Sequence, residues 1–94
     1  MKSHELLKDP SKWTQGAFAK DKDGHVTQSQ GDDAVCWCAL GSLTKCYTKL
    51  GKNEYEKLLR YLNEDTEFTC ASTWNDSSKT THEEVLKVLT HLNL

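Results

Sequence analysis

With 94 residues the chain has room for one hydrophobic core, so the expected organisation is a single domain over residues 1–94. Twelve basic and 14 acidic residues give a formal net charge of -2 with no basic stripe, which argues against nucleic acid as a partner. No apolar run approaches the roughly 20 residues of a membrane span, and Met1-Lys2-Ser3-His4-Glu5 lacks the apolar stretch of a signal peptide; the expected location is cytoplasmic.

In chain order, Ser3 is placed to cap a short helix running through Leu6 and Leu7. Asp9-Pro10 reads as a second start, with Asp as N-cap and Pro at the first helical position, ending near Trp13. Gln15-Gly16-Ala17-Phe18-Ala19 and His25-Val26-Thr27 flank Asp21-Lys22-Asp23-Gly24, a turn signal between two short extended runs, and predict a small hairpin. After a polar loop from Gln28 to Gly31, Asp32 or Asp33 is expected to cap the central helix. Cys36, Leu40, Leu43, Tyr47 and Leu50 recur along it at helical spacing until Gly51. Gly41 inside that helix costs about 1 kcal/mol relative to Ala, so a close backbone crossing is expected there.

Asn53 is placed to cap a third helix with Tyr55, Leu58, Leu59 and Leu62 on its apolar face. The segment from Glu64 to Lys79 shows no helical period and reads as a long connection holding Phe68, Cys70 and Trp74. Thr81-x-x-Glu84 is a capping box opening a last helix whose inner face is Val85, Val88, Leu89 and Leu92. The fold class is therefore mainly α: a small single domain of four to five helices with a short N-terminal β-hairpin.

Trp13-Thr14-Gln15-Gly16-Ala17, Asp33-Ala34-Val35-x-Trp37-Cys38-Ala39-x-Gly41, Trp74-Asn75-Asp76 and Thr81-His82-x-Glu84-Val85-Leu86 together resemble a family of small bacterial and phage proteins. The resemblance spans nearly the whole chain. It implies one intact domain of bacterial or phage origin and brings no activity with it.

Two chemical readings follow from the residues. A thiol-dependent hydrolase or transferase would use Cys38, early in the central helix where the macrodipole favours thiolate, with His82 as base and Asn75 or Asp76 as its orienting partner. Against it, buried Cys is common as a small hydrophobe. The favoured reading is a binding or interaction protein acting on a host component or a small nucleotide-like anion. Trp74, Asn75, Asp76, Lys79, Thr80, Thr81 and His82 would line its site, with hydroxyls, one cation and a helix N-terminus for the anion and Trp74 stacking on a ring. Asp76 works against an anion there, and loop Ser, Thr and Asp also serve as local caps.

No cofactor or metal is expected. Cys36 and Cys38, two apart on a helix, point to opposite faces and cannot share a zinc ion, and Cys36, Cys38, Cys46 and Cys70 read as free thiols. The Asp21 to Gly24 turn places Gln30 where a calcium loop needs a bidentate Glu. Homo-oligomerisation through Leu92 and Leu94 is a third reading.

Overall fold

Five helices surround a two-stranded antiparallel ribbon in the computed structural model, which describes residues 1–94. Helix α1 is Ser3–Leu6, α2 Ala39–Cys46, α3 Lys52–Asp65, α4 Ala71–Asp76 and α5 His82–His91; the strands are β1, Ala19–Lys20, and β2, Cys36–Trp37. As expected, the chain is mainly helical with a short ribbon in its N-terminal half. One contiguous core joins Leu6 and Leu7 to Ala19, Trp37, Leu43, Leu58, Leu62, Trp74, Val85 and Leu89. Helix α2 lies at its centre and packs against α1, α3 and α4.

The start of the chain differs from expectation in its cap. Lys2, not Ser3, occupies the N-cap of α1: its N–H donates to the Glu5 carboxylate at 2.9 Å, and Ser3 is fully buried within the first turn. Asp9 caps the 3-10 turn Pro10–Lys12 as expected, accepting the Ser11 N–H at 2.9 Å. The Asp21 to Gly24 turn also forms. Its carboxylate collects the N–H groups of Asp23 and His25, and the returning segment pairs through Lys20 and Val26. The two-residue ladder of β1, however, is with β2, in the register Ala19 to Trp37 and Lys20 to Cys36.

That ladder delays the central helix. The run from Ala34 to Ala39 is apolar all round, a pattern that a buried strand and a buried helix share. Here Val35 and Cys38 donate their N–H groups to Lys20 and Phe18 carbonyls, so α2 begins at Ala39, several residues later than the Asp32 or Asp33 cap predicts. Cys38 is the N-cap, its sulfur accepting the Gly41 N–H at 3.2 Å. The helix also ends early, at Cys46, in a tight turn where Lys49, Leu50 and Gly51 all take positive φ values of 54°, 57° and 70°. Gly51 rather than Asn53 caps α3.

The expected close crossing at Gly41 is present. A Cβ there would sit 2.0 Å from the Phe18 carbonyl oxygen, so the glycine is what lets β1's approach strand cross the first turn of α2. Helix α4 corrects the expected long connection: six residues are too few to display a period, yet Ala71, Trp74 and Asn75 are buried on one face. Helix α5 matches its signals, with Thr81 accepting the Glu84 N–H at 3.2 Å and Val85, Val88 and Leu89 buried.

Candidate functional site

Asn75 organises the region. It is fully buried, and each of its side-chain hydrogen-bonding positions is used. Its Oδ1 accepts the indole N–H of Trp13 at 2.8 Å and the backbone N–H of Ala39 at 3.0 Å; its Nδ2 donates to the Thr14 carbonyl and to Asp76 Oδ1, both at 3.0 Å. The Ala39 N–H belongs to the first turn of α2, so a side chain from α4 caps the central helix across 36 residues of chain. Gln15 continues the clasp. Its Nε2 donates to the carbonyls of Asn75 and Ser77 at 2.8 and 3.1 Å, satisfying the C-terminal end of α4.

Beside Asn75, Asp76 turns outward. One carboxylate oxygen, Oδ1, is held by the Gly16 N–H at 3.0 Å as well as by Asn75, and the residue itself is exposed. Gly16 presents that N–H from a left-handed backbone at φ 84°. Asp76 forms part of the wall of a cleft of about 300 Å³, to which residues 16–18 and Val26 contribute from the ribbon, Cys38 from the cap of α2, and Ser72 from α4. Phe18 and Val26 are 54% and 72% exposed, so the cleft has an apolar, solvent-facing lip. A second depression, lined by Phe68, Thr73 and Ser77, continues from it through the shared residues Ser72 and Asp76.

The structure brings Cys38 and Asp76 together and leaves His82 apart. Burial pushes the Cys38 thiol up from its ordinary range; N–H groups of Gly41 and Leu40 oppose the rise, and the negative charge of Asp76 adds to it. The expected thiolate at a helix start is thus outweighed by desolvation. The imidazole of His82 is engaged elsewhere, Nε2 donating to the Leu7 carbonyl at 2.5 Å and the ring lying 6.1 Å from that of Trp13. It forms no part of the cleft wall. Asn75, proposed as the orienting partner, has no free valence to offer.

The expected anion site at residues 79–82 is assembled from local caps. Trp74 is only 2% exposed and packs in the core, leaving no face for a ligand ring. Thr80 is buried, its N–H bonded to the Ser77 carbonyl. Thr81 spends its hydroxyl on the Glu84 N–H, and Glu83 and Glu84 place two carboxylates in the first turn of α5, where an anion would otherwise be drawn. Lys79 is exposed and its N–H bonds to Ser77 Oγ.

Phe18, Val26 and Ser72 escape a sequence reading. The signal for the first two was present in the alternation around the Asp21 to Gly24 turn, which set their register without showing that both outward faces stay uncovered. Ser72 lies one helical turn before Asp76, a relation visible only once α4 is known to be a helix. Among potential metal ligands, Asp21, Asp23 and His25 lie close together on the exposed turn, where one Asp21 oxygen, Oδ1, already takes two backbone donors.

The clasp docks the stretch Trp13-Thr14-Gln15-Gly16-Ala17 directly on Trp74-Asn75-Asp76. The chain belongs to a family of unknown function, DUF6197, whose model matches residues 2–92. No curated protein and no solved structure matches it. No helix is long and apolar enough to cross a membrane.

Proposed function

We propose that this is a small binding module whose site is the cleft beside the Trp-Asn-Asp helix, taking a ligand with an apolar body and a cationic or hydrogen-bond-donating end. The observation that carries this reading is the Asp76 carboxylate, steadied by the Gly16 N–H and Asn75 Nδ2 at the wall of a cleft otherwise built from apolar and neutral residues. A preset acceptor in a partly apolar recess favours a cation or a donor and repels an anion. The reading keeps the Trp-Asn-Asp region as the site and replaces the nucleotide-like anion with a ligand of opposite charge. It includes a bacterial or phage origin, a host component as the ligand's source, and a cytoplasmic location, which the four free thiols support. The thiol-enzyme alternative keeps only the position of Cys38 in the cleft wall, and the burial that raises its thiol and a histidine bonded to Leu7 outside that wall weigh against it.

The test is an NMR titration of the full chain with benzylammonium and, in parallel, with benzoate. Shifts confined to Phe18, Val26, Cys38, Ser72 and Asp76 are expected with the cation and none with the anion. Asp76→Asn keeps an oxygen for Gly16 and should weaken the cation by roughly fivefold to tenfold, the scale of one charge-assisted hydrogen bond. Equal responses to the two probes, or no response to either, would reject the proposal.

A further inference from the structure

We infer that the natural occupant of this cleft is an extended peptide segment of a partner protein, presenting a lysine or arginine to Asp76 and adding a strand to the edge at Val26. The inference rests on the cleft being the binding site and names what fills it.

The first observation is a set of unpaired backbone groups. In the returning arm of the hairpin, the His25 carbonyl and the Thr27 N–H face β1, bonding to the Asp21 N–H and the Ala19 carbonyl. Alternation along a strand then turns the Val26 N–H and carbonyl the other way, and neither makes a hydrogen bond within the chain. Both main-chain groups of Ala17 and the N–H of Phe18 are likewise unpaired, and all three residues belong to the cleft wall. A small amine offers donors alone. An extended polypeptide offers a donor and an acceptor side by side, which is what the Val26 N–H and carbonyl, both turned to the same edge, require.

The second observation is shape. The two depressions meet at Ser72 and Asp76, so the recess runs on from the Phe18 and Val26 lip towards Phe68 and Ser77. A groove that continues past its charged centre suits a chain with side chains on both sides of the cation. The third is charge: Asp76 is the one charged side chain in the wall of either depression, which selects Lys or Arg for the central position, with β-branched or aromatic neighbours against Phe18, Val26 and Phe68.

The test is selection from a phage-displayed random heptapeptide library on the immobilised full chain, followed by hydrogen exchange with the best synthetic peptide. Enriched sequences should carry Lys or Arg flanked by apolar, strand-forming residues. The selected peptide should slow amide exchange at Val26 and Ala17, lose about tenfold in affinity on Asp76→Asn, and lose at least as much when its alternate amides are N-methylated. Val26→Pro, which removes one edge donor at an exposed position, should weaken the peptide by a larger factor than it weakens benzylammonium. Enrichment of acidic sequences, no enrichment at all, or undiminished binding of the N-methylated peptide would overturn the inference. If benzylammonium enters the cleft and no peptide is enriched, the binding module stands and the peptide partner falls; if neither binds, both fall. A dimer of the peptide-free protein with Val26 protected would assign the edge to a second copy and equally overturn it.

Discussion

Asn75 and Asp76 are neighbours in the chain with opposite fates, and the segment from Lys79 to His82, only a few residues on, meets a third. Asn75 is sealed in the interior with every donor and acceptor matched; Asp76 holds one oxygen for structure and faces the cleft; in the later segment Lys79, Thr80 and Thr81 spend polar groups within a few residues, on Ser77 and Glu84. Similar residue types thus do three different jobs. What separates them is reach. Asn75 bonds to groups 62 and 36 positions away in sequence, whereas Thr81 bonds to one three positions away. Long-range polar contacts in a core specify how elements pack, and local ones only start or stop an element.

The comparison is broken most severely by Asn75→Ala. That change strands the Trp13 indole N–H and the Ala39 N–H in the interior, and at about 2 kcal/mol for each orphaned donor the expected loss is roughly 4 kcal/mol in urea unfolding. A loss below 1 kcal/mol would mean that water replaces the amide and that the clasp is not what holds α2 to α4.

Gly41→Ala tests the crossing on which the clasp depends. The new methyl meets the Phe18 carbonyl at 2.0 Å, so about 2 to 3 kcal/mol should be lost even though Ala is the better helix former by about 1 kcal/mol. A neutral or stabilising outcome would show that the ribbon moves away from α2 at little cost. The smallest effect belongs to the local cap. Thr81→Ala should cost about 1 kcal/mol and leave the cleft unchanged, because it removes one bond at the start of α5. A change in benzylammonium binding in that variant would tie the two regions together and blur the contrast.

Much of the fold was legible because it is written in short-range signals. The Thr81 cap, the Asp9-Pro10 start, the turn from Asp21 to Gly24 and the inner face Val85, Val88 and Leu89 each depend on residues within one or two turns of one another. The failures share a cause. Whether Ala34 to Ala39 becomes strand or helix depends on the arrival of Ala19 and Lys20, and whether Ala71 to Asp76 is helix or loop depends on Trp74 and Asn75 finding buried partners. Cys38 shows the same limit in its chemistry. Its place near a helix start was foreseeable, but the burial that pushes its thiol up from the ordinary range comes from the elements packed over it.

The candidate site was legible in part. Of the Trp-Asn-Asp stretch, Asp76 borders the cleft, but the residues that line it with Asp76, Gly16, Phe18 and Val26, lie about 60 and 50 positions earlier in the chain. Taken alone, the order of residues determined the mainly helical class, the caps at Asp9 and Thr81 and the glycine needed at position 41, since these follow from backbone sterics and hydrogen bonds closed over a few residues. Tertiary structure alone decided which of two adjacent polar residues is sealed in and which faces the cleft, because burial is a property of everything that packs around a side chain.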